Sequence, residues 1–595
     1  MRTFPHKLLL LLALVYTLIN AFKPLTIDDT AYHSFAARAA DKPLDPYGFS
    51  AYWWGYPEVA NEVLAPPLLP YYWAPAICLF GERPFLWKMS LLPLAVLFAY
   101  AIHDLGRRFA RGLELPLVAL TLFSPTFLPT FNLMLDVPAT ALSVASVAVF
   151  CRACDRSSFV LAALAGLVAG FGMEMKYTVF LAPAAMLLYA VCLGRLRFWP
   201  AAAVVAAQVF LSWEFLMSLL YGESHFLLHT RERTGTGLQW ARLMPALVTN
   251  LGSAAWPAAM VALVGLGARW RGLLVAGVVG LLSYAAVACL SGDLQRSEKV
   301  FGISDPARAI LTFEEVVFGT LGAAGILIGV AAVWRLSRPP VTLPRWGDRL
   351  LQGWAAGPGA LWRALAPPRP SRVTLFLLLW LALEVVGYVA LSPTPTIRRL
   401  MGVVVVIMLI VGRVAALRCR SLAARRVVYG IAAYSAVLGL LVFCVDLVEA
   451  LAERSAVEEA ARLIRERGEG GTIWYIGHWG FQYYAEREGM RPISAFPPDD
   501  VPIPMPPRSA LKKGDWLVLP EFRYNNNDFA AGVHQQLYTP DKERTKHEFP
   551  VIRDDPIPLQ TIMTLYSGYS TVRHHEGPRL QVEVRRVLED HDARR

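Results

Sequence analysis

Charged residues are scarce in this sequence. They make up 17% of its 595 residues, whereas hydrophobic residues make up 55%. Soluble globular proteins contain about 25% charged residues, so the composition excludes an ordinary soluble protein and indicates a polytopic membrane protein. The net charge of +11 does not predict a nucleic-acid partner, because the basic residues lie in short loops between apolar segments. That distribution is the positive-inside pattern of membrane proteins.

Several signatures are absent as well. The seven cysteines all lie in or beside apolar segments, and none follows Cys444, so no disulfide framework is expected in the C-terminal part. Cys151 and Cys154 have the spacing of a metal or redox pair, but no second pair lies nearby, which favours coincidence. The chain contains no P-loop, no dinucleotide-binding glycine motif and no zinc signature, so none of these sites is indicated.

The hydrophobic runs predict about thirteen transmembrane helices in residues 1–447. The first predicted span is Lys7–Phe22, and a long aromatic external loop follows it, to about Pro84. The third predicted span is Leu115–Phe131, and the last is Val427–Val445. Basic flanks place the N-terminus in the cytoplasm and most of the lone acidic residues on the opposite side. In the basic loop before the last three spans, Trp346–Trp362 is predicted to form an interfacial amphipathic helix.

The composition becomes soluble after the last span. Glu449–Arg467 has the pattern of a polar amphipathic helix, and Leu580–Val587 that of a strand; further strands are expected at Thr472–Ile476 and Trp516–Leu519. Residues 448–595 are therefore predicted to form a small α/β domain outside the cytoplasm. The fold class expected is a polytopic α-helical membrane protein with an extracytoplasmic C-terminal α/β domain.

Two adjacent carboxylates, Asp28 and Asp29, follow the first span directly. Acidic residues at the edge of a membrane are costly unless they face water or a polar cavity. Local sequence favours helix capping, because either residue can cap the amphipathic run Tyr32–Ala40. Capping and catalysis are compatible, since one carboxylate can cap while its neighbour faces a cleft.

An ordered set of short motifs runs along the first half of the transmembrane region. Its members are Asp28-Asp29-x-x-Tyr32, Pro66-Pro67-Leu68 with Tyr71-Tyr72, Gly106-Arg107-Arg108, Leu135-Asp136-Val137-Pro138, and Gly172 with Lys176-Tyr177. Through this set the chain resembles the membrane glycosyltransferases of the GT-C class. It is similar in particular to the dolichyl-phosphate-mannose protein mannosyltransferases (glycosyltransferase family 39) and the bacterial aminoarabinose transferases. The chain departs from that family in having Asp-Asp where Asp-Glu is common, and Ala65 before Pro66.

The resemblance implies a GT-C-like fold and an inverting transfer from a polyprenyl-phosphate sugar to a lipid, glycan or protein acceptor. It matches Asp28 to the catalytic base. Such chemistry needs a carboxylate to take the proton of the acceptor hydroxyl, and cations to stabilise the departing lipid phosphate. The candidate catalytic residues are Asp28, Asp29 and Asp136, and the candidate phosphate ligands are Lys176, Arg398 and Arg399. Interfacial snorkelling is the alternative for these cations, and it is weaker for Lys176, which lies on the side that the positive-inside pattern leaves acidic.

The remaining expectations concern substrate, metal and location. Tyr32, Trp53, Trp54 and Tyr71 are candidate sugar-stacking residues, although interfacial anchoring explains most such rings. A divalent cation, Mg²⁺ or Mn²⁺, is one option for the three carboxylates, but a lipid monophosphate does not require one. The expected location is a bacterial inner membrane. A transporter, or a non-catalytic envelope scaffold whose external domain binds polymer, remains an alternative; no clear internal repeat supports a transporter.

Overall fold

The computed structural model describes residues 4–53, 57–234, 240–295, 312–336, 371–392, 394–418, 421–477, 479–494, 509–522, 543–554, 557–561, 565–566, 570–575 and 577–592. Helices dominate the chain up to residue 487. They are α1 (Phe4–Ala21), α2 (Asp29–Asp41), α3 (Ala60–Val63), α4 (Leu68–Phe80), α5 (Pro84–Met89), α6 (Leu92–Phe109), α7 (Glu114–Leu122), α8 (Asp136–Arg156), α9 (Phe159–Met175), α10 (Leu181–Leu193), α11 (Trp199–Tyr221), α12 (His225–Thr234), α13 (Trp240–Ala254), α14 (Trp256–Leu266), α15 (Trp270–Gln295), α16 (Phe313–Leu336), α17 (Arg372–Leu391), α18 (Met401–Arg418), α19 (Leu422–Arg467) and α20 (Trp479–Arg487).

Eight helical segments within the described residues are long and apolar enough to cross a membrane. A ninth candidate is the pair Leu243–Ala254 and Trp256–Leu266, which is bent by 74°, and four shorter apolar helices accompany them. The chain is therefore a multi-pass membrane protein, as the sequence predicts. The predicted interfacial helix at Trp346–Trp362 lies outside the described residues.

Glycines allow the closest helix contacts. A Cβ on Gly166 of α9 would lie 2.1 Å from the carbonyl oxygen of Ala202 on α11, and one on Gly252 of α13 would lie 1.8 Å from that of Phe318 on α16. No side chain fits at these distances, so only glycine lets these backbones meet. Small residues at helix crossings are the usual way in which membrane helices pack.

The third predicted span, Leu115–Phe131, is wrong. Helix α7 ends at Leu122, and turns cover the chain from there to α8. Pro125 and Pro129 remove backbone donors, and the Ser124 and Thr130 hydroxyls bond to nearby carbonyl oxygens instead of leaving them to a helix. The segment is buried inside protein, where irregular backbone is tolerated at membrane depth. The predicted external loop before Pro84 likewise contains an apolar helix, α4.

The C-terminal part contains a five-stranded mixed sheet, as its sequence pattern predicts. The strands in the described residues are β1 (Ser50–Tyr52), β2 (Pro57–Val59), β3 (Ile473–Tyr475), β4 (Arg491–Pro492), β5 (Ala510–Leu511), β6 (Trp516–Phe522), β7 (Thr545–Arg553), β8 (Leu559–Gln560), β9 (Arg573–His574), β10 (Leu580–Val587) and β11 (His591–Asp592). The sheet order is β4-β3-β6-β10-β7, with β3 parallel to β4 and β6, and β10 antiparallel to β6 and β7. The small sheets pair β1 with β2, β5 with β11 and β8 with β9.

Helix α19 joins the two parts of the molecule. It runs without a break for 46 residues, from a cap in which Ser421 accepts a bond from the Ala424 amide to Gly468 in the left-handed conformation. Its C-terminal half packs against β7, β10 and α20, and its apolar side chains belong to one core that continues from the membrane helices into the sheet. The predicted division between residues 447 and 448 falls inside this helix and stays a prediction.

Candidate active site beneath the C-terminal sheet

A cavity of about 140 Å³ with charged lining residues lies at the end of the helical bundle where the C-terminal part contacts the segment that carries Asp28. Four separate segments supply its charged side chains. Asp28 precedes α2, Asp136 is the first residue of α8, Lys176 follows α9, and Arg398 and Arg399 lie between α17 and α18. Residues that are 370 positions apart in the chain thus meet in one site.

A second, smaller cavity shares its inner wall with the first. Asp136, Lys176, Arg398 and Arg399 line both spaces. The second cavity continues between α8, α10, α17 and α18, where Thr140, Trp380 and Glu384 are among its polar lining residues. The shared charged residues therefore stand between the main cavity and a space between membrane helices.

The charged side chains form a connected ion-pair group. Arg398 Nη1 lies 2.6 Å from Asp28 Oδ2 and 3.9 Å from Asp136 Oδ2. Lys176 donates a hydrogen bond to Asp136 Oδ1. With Arg399 on the same wall, three cations face two carboxylates, so the cavity carries a net positive charge and suits an anion.

The cations respond differently to this environment. Burial lowers the pKa of the Lys176 ammonium to about 8, although Asp136 acts in the opposite direction. For Arg398 burial also lowers the pKa, but the carboxylates of Asp28 and Asp136 outweigh it and raise the pKa of the guanidinium. Arg398 is thus a permanent cation, whereas Lys176 titrates in the alkaline range.

The backbone directly before Asp28 is strained at Ile27. Ile27 has φ 51°, a left-handed conformation that a β-branched residue rarely adopts. Strain of this kind persists where the surrounding structure fixes it, and it concentrates at functional sites. Asp28 occupies the N-cap position of α2 but makes no side-chain cap bond, because its carboxylate pairs with Arg398. The Asp28 side chain therefore does not cap α2, the role that local sequence alone favours for one of the two aspartates.

Asp29 points away from the cavity, so its placement corrects the expectation that it joins Asp28 in the site. Its side chain is fully buried; Asp29 Oδ2 accepts a bond from the Thr26 amide at 3.2 Å and lies 3.5 Å from Lys88 Nζ. Burial raises the pKa of Asp29, while Lys88 and Lys23 oppose that shift. Asp29 bonds backward to Thr26 rather than forward into α2, so it is not a helix cap but the partner of a buried lysine.

The predicted aromatic residues divide into two groups. Tyr32 and Trp53 line the cavity. Tyr71 does not, because its hydroxyl donates to the Pro43 carbonyl oxygen and its ring packs edge-on against Trp213. Trp54 lies outside the described residues.

The described residues contain no group of three or more histidine, cysteine or acidic side chains that fits a metal ion. Asp28 and Asp136 face cations, and Asp29 points elsewhere. The three carboxylates considered for Mg²⁺ or Mn²⁺ therefore do not converge on one position, and they do not fit a shared ion in this arrangement.

Some site residues were not expected from the sequence. Tyr177 and His229 also line the main cavity, and Glu384 lines the second one. Lys88 supports Asp29 and also donates to the carbonyl oxygens of Lys23 at 2.8 Å and Pro24 at 3.1 Å. The sequence signal for Lys88 was the same as for Lys176. Each is a lysine on the predicted external side, where the positive-inside pattern leaves few basic residues.

The C-terminal part contacts the segment that carries Asp28. Thr30 Oγ1 donates to the Trp479 carbonyl oxygen at 2.6 Å, and the Leu25 amide donates to the Tyr484 hydroxyl at 3.0 Å. A Cβ on Gly480 would lie 2.6 Å from the Leu25 carbonyl oxygen, so α20 approaches this segment as closely as a glycine allows. The loop before α2 is thus held from both the membrane helices and the C-terminal part.

Comparisons with solved structures find chains of similar fold at low sequence identity. An oligosaccharyltransferase from Archaeoglobus fulgidus, in the apo form, matches with a TM-score of 0.43 and 14% identity, over 82% of this chain and 64% of that one. ArnT from Cupriavidus metallidurans, bound to undecaprenyl phosphate, matches with a TM-score of 0.36 and 14% identity, over 83% of this chain and 86% of that one. This chain thus spans less than two thirds of the oligosaccharyltransferase. No family model and no curated protein sequence matches. Similarity at this level concerns the overall fold alone.

Proposed function

We propose that this protein is a membrane glycosyltransferase that moves a sugar from a polyprenyl-phosphate donor to a hydroxyl of a lipid, glycan or protein acceptor, with inversion. The observation that supports it best is the convergence of Asp28, Asp136, Lys176, Arg398 and Arg399 on one cavity at the end of the membrane helices. A carboxylate next to a cluster of cations is what a sugar transfer from a lipid phosphate needs.

The proposed reaction is a single displacement. The Asp28 carboxylate removes the proton of the acceptor hydroxyl, and the acceptor oxygen forms a bond to the anomeric carbon of the sugar. The bond between that carbon and the phosphate oxygen breaks, and the lipid phosphate leaves with the electron pair. Attack opposite to the leaving group inverts the anomeric configuration. Lys176, Arg398 and Arg399 stabilise the extra negative charge on the phosphate.

The ion pair between Arg398 and Asp28 has a consequence for this reaction. The Arg398 guanidinium donates a bond to the Asp28 carboxylate at 2.6 Å, so this oxygen is occupied. A donor phosphate competes for the same guanidinium, which weakens the pair. Donor binding therefore frees the Asp28 carboxylate from Arg398, so that it can accept the proton of the acceptor hydroxyl when the phosphate is in place.

The two cavities suit two substrates. The space between α8, α10, α17 and α18 gives a lipid-linked phosphate a route from the bilayer to Lys176 and the arginines. The main cavity, with Tyr32, Trp53, Tyr177 and His229 on its walls, suits the sugar and the acceptor, because aromatic faces and polar groups bind sugar rings. In this proposal the protein lies in a bacterial inner membrane, with its N-terminus in the cytoplasm and residues 448–595 outside.

The experiment is a transfer assay with purified protein and a panel of labelled polyprenyl-phosphate sugars. The wild-type chain is expected to consume at least one donor in the presence of envelope acceptors, and Asp28→Asn is expected to consume it far more slowly. Asp590→Asn is a matched control, because that aspartate is exposed, bonds Lys512 and Lys513, and lines neither cavity. A transporter or a scaffold would leave every donor intact in both proteins, which would reject the proposal.

A further inference from the structure

We infer that the C-terminal part is a working component of the site and that Tyr566 is the residue through which it positions Arg398. This inference rests on the proposed function, because it assigns a role to a residue that supports the phosphate-binding arginine. The geometry behind it is independent of the reaction.

Arg398 depends on few contacts for its orientation. Its Nη1 atom bonds Asp28, and its Nε atom is buried without a hydrogen-bond partner in the described part of the chain. Nη1 also lies 3.9 Å from Asp136 Oδ2, and the face of the Tyr566 ring adds a contact from the C-terminal part, with its centroid 5.7 Å from the guanidinium carbon. A guanidinium over an aromatic face is attracted to it, and the attraction grows when both are shielded from water.

Tyr566 is itself held by two hydrogen bonds. Its hydroxyl donates to Asp446 Oδ2 of α19 at 3.2 Å and accepts from Asn132 Nδ2, in the turns before α8, at 3.0 Å. Asp446 in turn accepts from Lys23 Nζ at 2.6 Å. All four side chains are buried. Lys23 lies just after α1, Asn132 before α8, Asp446 on α19 and Tyr566 in the C-terminal part.

This arrangement makes Tyr566 a positioning residue rather than a catalytic one. It lies behind Arg398 and lines neither cavity, so it reaches a substrate only through the arginine. The buried bonds of its hydroxyl to Asp446 and Asn132 restrict the orientation of the ring. The ring therefore holds the guanidinium toward Asp28 and Asp136, in the arrangement that receives a phosphate.

The test is a double-mutant cycle that measures the dissociation constant for a short-chain polyprenyl phosphate in detergent. The four proteins are wild type, Tyr566→Leu, Arg398→Gln and the double variant. Tyr566→Leu is expected to weaken binding about tenfold in the wild-type background, within the range of a desolvated cation–aromatic contact. It should have almost no further effect in the Arg398→Gln background, because the ring acts through the arginine. If Tyr566→Leu does not fold, Tyr566→Met replaces it in the same cycle, because methionine has a similar length and no ring.

Tyr475→Leu is the matched control. Tyr475 is a buried tyrosine of the same region, its hydroxyl donates to Glu486 at 2.9 Å, and it does not line either cavity. It should lower the melting temperature without changing the affinity for the lipid phosphate. Tyr566→Phe keeps the ring face and should bind nearly as well as wild type.

The outcomes separate the two proposals. If wild type does not bind the polyprenyl phosphate, or if Arg398→Gln binds it as well as wild type does, the proposed phosphate site is wrong. If Arg398→Gln weakens binding but Tyr566→Leu and Tyr566→Met do not, or if the losses add in the double variant, only the inference about Tyr566 is overturned.

Discussion

Asp28→Asn removes the charge and basicity of one carboxylate while keeping its size. In the structure that carboxylate lines the cavity and accepts a bond from Arg398 Nη1 at 2.6 Å. The asparagine carbonyl oxygen can still accept this bond. Asp136, 3.9 Å from the same nitrogen, remains as a counter-charge. The substitution therefore isolates the chemical role of Asp28 from most of its structural role.

The expected effect on turnover is large and the effect on stability is small. A positioned general base is worth about two to four orders of magnitude, so kcat should fall by about 10²–10⁴. Replacing a charged acceptor by a neutral one costs about 1 kcal/mol of stability, the difference between charged and neutral hydrogen bonds. The KM for the donor should stay constant or fall, because Arg398 loses a competing carboxylate and becomes more available to the phosphate.

The assay measures initial rates of sugar transfer from a defined polyprenyl-phosphate donor, with a melting curve for each protein. Asp28→Glu, which keeps the carboxylate but moves it, should recover part of the lost activity. A kcat for Asp28→Asn within tenfold of wild type would refute the role of Asp28 as the base. A strongly destabilised but fully active protein would show that the carboxylate serves the fold and not the chemistry.

Three further predictions follow from the same geometry. Asp29→Asn should cost about 3 kcal/mol of stability with little change in kcat, because it leaves the buried Lys88 ammonium without its carboxylate partner; a protein that melts normally but lacks activity would contradict this. Burial lowers the pKa of Lys176 to about 8, so the ammonium that binds the phosphate is present below that pH and lost above it. The kcat/KM for the donor should accordingly decline as the pH rises through about 8, and the decline should move to higher pH in Lys176→Arg; superimposable pH profiles would assign it to another group. A cysteine at the exposed Lys512 should react with an impermeant thiol reagent in spheroplasts, above the labelling of the wild-type chain, and one at the exposed Arg269 should not; the reverse pattern would invert the proposed topology.

The local hydrophobic pattern of the sequence was sufficient to predict many of the helices and strands. The strand predicted at Leu580–Val587 has those same bounds in the structure, because alternating buried and exposed positions are a property of the sequence itself. The last span and the helix after it were predicted separately, yet they form one helix, α19. Residues 446–448 contain no proline or glycine that would break it. Conversely, the apolar run Leu115–Phe131 was predicted to be one span, but its prolines and hydroxyl side chains end α7 at Leu122.

For the candidate site, the sequence indicated the residues and the structure showed that they converge. Asp28, Asp136, Lys176, Arg398 and Arg399 could be proposed from residue type and membrane side, since a charge at the edge of an apolar segment is costly and stands out in the sequence. Their convergence could not be derived, because it depends on how α8, α9 and the connection between α17 and α18 pack.

The sequence by itself determined that this chain crosses a membrane many times, that its C-terminal part contains a sheet, and which charges are unusual. Only the tertiary structure decided which of two adjacent aspartates faces the cavity. The helical direction of α2 and the left-handed turn at Ile27 point Asp28 toward Arg398 and Asp29 toward Lys88. Neighbouring residues point in different directions along a helix, so a shift of one position separates a candidate base from a buried structural ion pair.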